Sequence, residues 1–465
     1  MKKIHFIGIG GTGMSPLAKI MLEKGYVISG SDIKKNESIE KLINQGVMYY
    51  QGHNPSNVKD CDLVIYTSAL LQDNPELIEA RRNGISCIHR SELIVNLSKS
   101  KKGIYVGGTH GKTTTTSMIT HIFKQSGKNP TYAVGGILNN YNTNGENGND
   151  AFCIFEACES DKSIKKYSPH IGIITNIETD HLEYYDGNFE NLLNSFLEFS
   201  GKIAKDGHLI ICASNSHKFN LIKNTKCKIT TIDVWNTEDE FDYTVDYSAK
   251  VIQMTEVNTT YQLYNKRNRI CEITINIPGI HNVYNSLYAL AAGSIADISM
   301  EDIILALNSF KGVKQRYQKL VDGDVTVIED NAHHPTEIKT VIELAKMKGK
   351  RVIVLFQAQR NSRLYYLFNE FIQSFERADV VLVADTYSPI DETTIYDVSA
   401  KDLVKGISRY NQKVKYYESM DDIKDNLLNI AQKGDIILSL GIAGDTSTVI
   451  KDVASFIKNE ERVTP

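Results

Sequence analysis

The sequence predicts an α/β protein built from three units in series, and three observations carry that reading. An apolar strand, a glycine turn and a helical pattern follow one another at 4–23 and again from residue 103. Strands alternating with helical segments are the mark of a parallel sheet covered by helices. Four more apolar runs follow Lys311–Gly312: VTVIED (325–330), VIVLF (352–356), VVLVAD (380–385) and IILSLG (436–441). The length of 465 residues agrees, because one domain holds ~100–200 residues.

In the first unit, IHFIGI (4–9) reads as a buried strand, Ser15 to Glu23 as a helix, and 26–29 as a second strand with Asp32 just after it. CDLVIYTSA (61–69) is a further strand, and Lys99–Lys102 suits a linker, so this unit spans 1–99. The second unit, 100–312, opens with GIYVGG (103–108) and continues with CIFEAC (153–158) and GIITNI (172–177). Its segment 227–278 alternates like added antiparallel strands, and 281–297 reads as a helix rich in Ala and Leu. The third unit is 313–465.

Composition excludes several function classes. The chain is 42% hydrophobic and 23% charged with a net charge of -4, so it has no general attraction for nucleic acid. Seven cysteines without a CxxC pair read as reduced thiols rather than a disulfide framework. No run of ~18 apolar residues exists to span a membrane. The N-terminal apolar run breaks at glycines after Ile7, too early for a signal peptide, so a cytoplasmic enzyme with no membrane partner is expected.

Two glycine turns carry the chemistry. Gly8-x-Gly10-x-x-Gly13, with Asp32 downstream, matches a dinucleotide fingerprint, and a sugar nucleotide's diphosphate suits such a turn as well as NAD does. On this motif alone an NAD-dependent oxidoreductase stays open. GGTHGKTTTTS (107–117) is more specific. It is a shortened phosphate loop, with Val106 where the strict pattern has glycine. Its Lys112 can reach β- and γ-phosphates, the Thr113 hydroxyl can ligate Mg²⁺, and backbone N–H groups of Gly108, Thr109, His110 and Gly111 can cradle oxygens. Oxygen ligands for the magnesium that ATP brings stand at two strand ends. They are Glu156 with Glu159 and Asp161, and the cluster Asn176, Glu178, Asp180 and His181.

Four blocks together resemble the Mur ligases: GTHGKTTTT (108–116), EACESD (156–161) with TNIETDH (175–181), GIHNVYN (279–285) and EDNAHHPTEI (329–338). The opening IHFIGIGGTGMSPLA (4–18) resembles the family's alanine-adding branch. The resemblance implies a Rossmann-like N-terminal domain, a central P-loop ATPase domain and a C-terminal Rossmann-like domain. It implies an ATP-dependent acid–amino-acid ligase of peptidoglycan precursor synthesis, acting as monomer or homodimer on UDP-N-acetylmuramate and L-alanine. Gly8, Gly10, Gly11, Thr12, Gly13, Asp32, Ser68 and Ala69 would then face the uridine diphosphate. Lys112 would hold the transferred phosphate, with Thr114 completing the loop and His110 near the reacting carboxylate. Thr113 and Glu156 would ligate one Mg²⁺ and His181 a second. His281, Asn282 and Asn285 would hold adenine, Arg316 would reach the phosphates, and Asp330 would lie near the ribose or hinge. Asn331, His333, Arg360 and Arg363 would bind the incoming amino acid, with His334 completing a histidine pair.

This chain departs from the family pattern mainly where that amino acid should bind. Asn331 replaces an aromatic residue, residues 357–363 read Gln-Ala-Gln-Arg-Asn-Ser-Arg, the family's Arg-Arg-Phe reads Gln315-Arg316-Tyr317, and LGIAGD stands at 440–445. L-alanine therefore ranks first, a recycled peptide second, and another amino acid third.

Overall fold

The computed structural model describes residues 2–71, 73–235, 242, 244–347, 349–389, 391–392, 394–441 and 444–463. Ile442 and Ala443 of the LGIAGD segment lie outside them. Among the described residues there are three sheets.

The first sheet is all parallel. Its strands are β1 (Lys3–Ile7), β2 (Val27–Asp32), β3 (Met48–Gln51), β4 (Leu63–Tyr66) and β5 (Ser86–His89), in the order β3-β2-β1-β4-β5. Ile4, Phe6 and Ile7 are buried because helices cover both faces of such a sheet. The helix Ser15–Glu23 follows the first glycine turn. Strands β3 and β5, four residues each, were too short and too polar to read from the sequence.

The second sheet holds β6 (Lys102–Gly107), β7 (Thr131–Leu138), β8 (Thr143–Glu146), β9 (Phe152–Glu156), β10 (Ile171–Ile174), β11 (His208–Cys212), β12 (Lys228–Trp235), β13 (Tyr247–Met254), β14 (Thr259–Asn265) and β15 (Asn268–Ile275). Their order is β15-β14-β13-β12-β11-β10-β6-β9-β7-β8. The expectation for 227–278 needs correction. Strand β12 pairs in parallel with both β11 and β13, and the antiparallel additions begin only with β14 and β15. Alternating burial marks a half-covered strand but does not reveal its direction.

The helix Lys112–Gln125 lies on this sheet and carries a run of four threonines, poor helix formers. Burial tolerates them partly because the hydroxyls of Thr113, Thr115 and Thr116 have partners, as does that of Thr120 one turn on. Thr116 donates to the Lys112 carbonyl at 2.7 Å and Thr120 to that of Thr116 at 2.8 Å. The helix Ile280–Ile295 packs against it, as the Ala- and Leu-rich segment predicted.

The third sheet is β16 (Gln318–Asp322), β17 (Thr326–Asp330), β18 (Val352–Gln359), β19 (Val380–Tyr387), β20 (Val414–Tyr417) and β21 (Ile436–Leu440). The order β16-β17-β21-β18-β19-β20 is parallel except at β16. Its core includes Val354, Phe356, Val383 and Leu438.

The fold forms two compact units. One runs from β1 to Glu178 and adds Asn188–Met254 and Asn258–Gly312; the other comprises Thr179–Gly187, Thr255–Val257 and everything from Val313 on. The segment Thr179–Gly187 thus belongs with the third sheet, although it precedes the 312/313 border. No helix among the described residues is long and apolar enough to cross a membrane.

His121, buried in the helix Lys112–Gln125, bonds to Tyr141 Oη at 2.7 Å and Ser309 Oγ at 3.0 Å. Burial pushes its imidazole down to about 4, whereas the unfolded chain takes up that proton near ~6.5. The folded state therefore binds fewer protons between these values. The His121 contribution is whole above the unfolded value and is lost as pH falls toward the folded one. Between pH 7 and 4.5 the wild type should lose about 2 kcal/mol more stability than His121→Gln. Unfolding midpoints of the two proteins across that range check this, and parallel pH curves would refute it.

Candidate functional site

The phosphate loop begins where β6 ends. Gly108 has φ +128°, and a Cβ there would come within 2.0 Å of Thr175 Oγ1. Only glycine allows this approach of the loop to the end of β10. Asn176 then fixes the loop: its carbonyl accepts from Thr109 N at 3.1 Å and its Oδ1 from His110 N at 2.9 Å. Thr175 Oγ1 donates to the His110 carbonyl at 2.5 Å. Gly111, with φ +80°, opens the helix Lys112–Gln125.

This corrects one expectation. The N–H groups of Thr109 and His110 serve the loop itself, so they are not phosphate donors here. The N–H groups of the helix's first turn, at Lys112, Thr113 and Thr114, have no intrahelical acceptor.

Lys112 Nζ donates to Glu159 Oε1 at 2.8 Å and to the carbonyls of Gly108 and Thr109 at 2.5 and 3.0 Å. Burial alone would lower its pKa, but the Glu159 carboxylate overcomes that and raises it, so the ammonium stays charged. Beside it, Thr113 Oγ1 donates to Glu156 Oε2 at 3.2 Å, and Gly135 N donates to Oε1 at 2.6 Å. A Cβ on Gly135 would lie 3.1–3.2 Å from both carboxylate oxygens and the threonine hydroxyl. These hard oxygens around a spot without a side chain suit Mg²⁺. His110 Nε2 stands 3.5 Å from Glu178 Oε2.

The residues expected at adenine lie beside this loop, but two of them are bonded within the protein. Asn285 Oδ1 accepts from Thr115 Oγ1 at 3.1 Å, Asn285 Nδ2 donates to Asn282 Oδ1 at 3.1 Å, and Asn282 Nδ2 donates to the Pro278 carbonyl at 2.7 Å. Both asparagines are buried and tie their helix to the loop helix. His281 lies over Gly279, whose φ of +103° opens that helix.

At the first sheet, Gly8 N and Ile9 N donate to the Ser31 carbonyl at 2.9 and 3.0 Å. Gly11 and Thr12 are exposed at the tip of the turn, as are Ser68 and Ala69. Asp32 differs from its expected role of facing the ligand: its carboxylate accepts from Gly10 N at 2.8 Å and Ile33 N at 2.8 Å, so it braces the turn. A group of residues that sequence reasoning missed joins this turn to the second sheet. Arg90 Nη2 donates to Asp161 Oδ2 at 2.7 Å, and its Nη1 lies 2.8 Å from where a Gly13 Cβ would stand. Ser68 Oγ bonds His89 Nε2 at 2.8 Å and Asp161 Oδ2 at 3.1 Å. Burial pushes His89 down to about 4. Asp161 was visible in the sequence only as a possible metal ligand, and Arg90 had no motif around it.

In the other unit the two arginines expected to bind an amino acid carboxylate are already paired. Arg363 grips Asp180 through Nε to Oδ1 at 2.8 Å and Nη2 to Oδ2 at 3.3 Å. Burial works against the Asp180 charge, but Arg363 and His181 outweigh it and hold this carboxyl well below the usual range. Arg360 Nη2 donates to Asp391 Oδ2 at 2.7 Å, and its Nη1 lies 3.7 Å from Glu183 Oε1. The acids come from Thr179–Gly187 and from 391–392, so the arginines hold those segments to the third sheet. Glu392 accepts from the N–H groups of Asn361 and Ser362 at 2.9 and 2.8 Å, starting the helix Asn361–Tyr366. No pattern in the sequence marked Asp391 or Glu392.

His181 has φ +54°, a conformation uncommon for a side chain of its size. Its Nε2 lies 3.2 Å from Arg363 Nη2. A guanidinium only donates, so this nitrogen is the acceptor and the lone pair expected for a metal faces Arg363. Asp330, expected near a ribose or hinge, accepts from Tyr317 N and Ala332 N at 2.6 Å each. Burial raises its pKa to about 6. The residues on either side of Arg316, Gln315 and Tyr317, have φ of +60° and +48°. His333 Nδ1 lies 2.6 Å from the Asn331 carbonyl, and burial pushes its ring down to about 3. His334 caps the helix Pro335–Lys346.

Three family models match successive stretches: "Mur ligase family, catalytic domain" at 3–102, "Mur ligase middle domain" at 106–293 and "Mur ligase, glutamate ligase domain" at 315–442. The UDP-N-acetylmuramate–L-alanine ligase of Geotalea daltonii is 40% identical over 446 residues, 95% of each chain. That of Clostridium tetani is 40% identical over 449 residues, 96% of each chain. Among solved structures, the UDP-N-acetylmuramate-alanine ligase of Thermotoga maritima aligns with a TM-score of 0.82 at 26% identity, covering 99% of this chain and 100% of that one. A murein peptide ligase of Psychrobacter arcticus aligns with a TM-score of 0.74 at 25% identity, covering 97% and 99%.

The Arg363–Asp180 pair yields a stability test. Removing one partner of a buried ion pair leaves the other charge stranded, so Asp180→Ala should cost on the order of 3–5 kcal/mol. The double variant Asp180→Ala, Arg363→Met should be less damaged than Asp180→Ala alone. Thermal unfolding of the three proteins would show this order, and an unchanged Asp180→Ala midpoint would contradict it.

Proposed function

The chain belongs to the Mur ligase family, and we propose that it joins L-alanine to UDP-N-acetylmuramate with ATP, through an acyl phosphate. The full-length likeness to alanine-adding relatives supports the substrate pair. The observation that carries the chemistry is the convergence of Lys112, Thr113 and Glu156 at the carboxyl edge of the second sheet. The oxidoreductase reading of Gly8–Gly13 loses its ground, since family membership extends over the whole chain.

A carboxylate is a poor electrophile, and phosphorylation turns one of its oxygens into a leaving group. As the γ-phosphoryl moves from ATP to the muramoyl carboxylate, the Lys112 ammonium and the first-turn N–H groups stabilise the charge on its oxygens. Thr113 and Glu156 would hold Mg²⁺, which when bound neutralises phosphate oxygens; His181 would reach a second ion only with its Nε2 released from Arg363. His110, whose Nε2 stands 3.5 Å from Glu178 Oε2, is proposed to contact the reacting carboxylate. The amine nitrogen then attacks the acyl carbon, the carbon–oxygen bond to phosphate breaks, and the amine's proton passes to solvent. Phosphate departs with an oxygen that began on the carboxylate.

Gly8, Gly10, Gly11, Thr12, Gly13, Ser68 and Ala69 are the proposed diphosphate contacts, with Asp32 as their brace. His281, Asn282 and Asn285 are proposed at adenine and Arg316 at the phosphates. Asn331 and His333 are proposed at the incoming amino acid. Recognition of its carboxylate by Arg360 would be a like-for-like exchange with Glu183 or Asp391. The altered 357–363 segment keeps a second reading in view, in which a peptide is the acceptor, as in the murein peptide ligase above.

A phosphate-release assay with ATP and UDP-N-acetylmuramate across all amino acids and an L-alanine-initiated tripeptide separates these readings. Release that needs both the sugar nucleotide and L-alanine is expected, and equal ATP turnover without either would end the proposal. Lys112→Ala should lower turnover by about 10²–10³-fold while UDP binding, measured by calorimetry, stays intact. Equal loss of both would contradict the separation of the two sites.

A further inference from the structure

Behind the first glycine turn lies a polar cluster that the chemistry above does not use. Glu76, at the start of the helix Pro75–Arg82, is fully buried. Its Oε2 accepts from Ser31 Oγ at 2.5 Å and from His53 Nδ1 at 3.1 Å. Its Oε1 accepts from Asn57 Nδ2 at 2.6 Å and Asn54 N at 3.4 Å. His5 Nε2 stands 3.7 Å from Oε2, and its Nδ1 lies 2.9 Å from Ser29 Oγ. Burial opposes the charge, but His5 beside it and the hydrogen bonds from His53 and Ser31 outweigh it and hold the carboxyl well below its usual range. A carboxylate kept ionised in a core is costly unless every lone pair is engaged, and apolar side chains would fill the space at lower cost.

Two consequences reach the turn. Ser31 is the residue whose carbonyl carries both Gly8 N and Ile9 N, at 2.9 and 3.0 Å. Fixing its side chain fixes the strand end from which the turn hangs. The second consequence concerns His53. An ionised carboxylate only accepts, so His53 donates to it through Nδ1, which fixes the orientation of the ring. His53 follows Gly52, whose N–H donates to the Asp32 carbonyl at 2.8 Å. The ring therefore stands at the same carboxyl edge of the first sheet as the turn.

We infer that Glu76 is a positioning residue for the sugar-nucleotide site, setting the glycine turn through Ser31 and the orientation of the His53 ring. The inference rests on reading Gly8–Gly13 as that site. Glu76→Gln keeps the size of the side chain but places a donor where the protein needs an acceptor. It should raise the KM for UDP-N-acetylmuramate and the Kd for UDP about tenfold, the size of one hydrogen bond to a charged group. The KM for ATP and kcat should stay within about twofold, since the phosphate loop lies on another sheet. Ser31→Ala, a small change that still folds if Glu76→Gln does not, should show the same split more weakly.

Steady-state kinetics with each substrate varied, together with calorimetry of UDP binding, read these outcomes. A KM and Kd change confined to the uridine substrate supports the inference. Equal changes for UDP and ATP, or a lower unfolding midpoint with unchanged UDP binding, overturns it and leaves Glu76 as a structural residue. Wild-type protein that fails to bind UDP would instead overturn the reading of the turn itself, and the inference with it.

Discussion

The approach of Gly108 to the end of β10 is the constraint on which the rest of the central site depends. There is no room for a side chain between Gly108 and Thr175. Because the loop lies that close, Asn176 can hold it by three hydrogen bonds and the Thr175 hydroxyl by a further one. The loop in turn sets where the helix Lys112–Gln125 begins, and so where Lys112 and Thr113 stand. Glu156 and Glu159 reach those two side chains because β9 is the neighbour of β6, and ligands collect at the carboxyl ends of such strands.

A shared device appears in both compact units: cationic side chains are held beside carboxylates from within the protein. Lys112 has Glu159, Arg363 has Asp180, and Arg360 has Asp391 and Glu183. Each charge is thereby kept oriented in a poorly solvated place, where an unpaired one would be expelled or neutralised. The devices differ in exposure. Lys112 is only partly buried, whereas Arg363 is 3% exposed and is built into its unit. The same principle places Glu76 behind the first glycine turn.

Much of this was legible in the sequence, for identifiable reasons. Parallel strands buried on both faces read as apolar runs, so β1, β6, β9, β10 and β18 stood out. The phosphate loop was legible because glycine, lysine and threonine each answer a separate demand at fixed spacing. Short polar strands such as β3 and β20 carried no such signal. The direction of β12 was invisible because alternation reports which face is covered, not how the neighbour runs. The acidic partners of Arg360 and Arg363 were not legible for a related reason. Two arginines at a strand end suit a substrate carboxylate, but only the fold shows that Asp180 and Asp391 reach them first. Asp32 was likewise placed correctly at the turn, while its use as a backbone brace needed the geometry.

In the proposed reaction the γ-phosphoryl of ATP moves onto the muramoyl carboxylate and activates it. The most direct measurement follows oxygen. UDP-N-acetylmuramate labelled with ¹⁸O in its carboxylate is turned over with ATP and L-alanine, and the released phosphate is analysed by mass spectrometry. One labelled oxygen in each phosphate is the predicted result. Phosphate carrying no label, with one labelled oxygen kept in the amide and the other recovered in water, would contradict it.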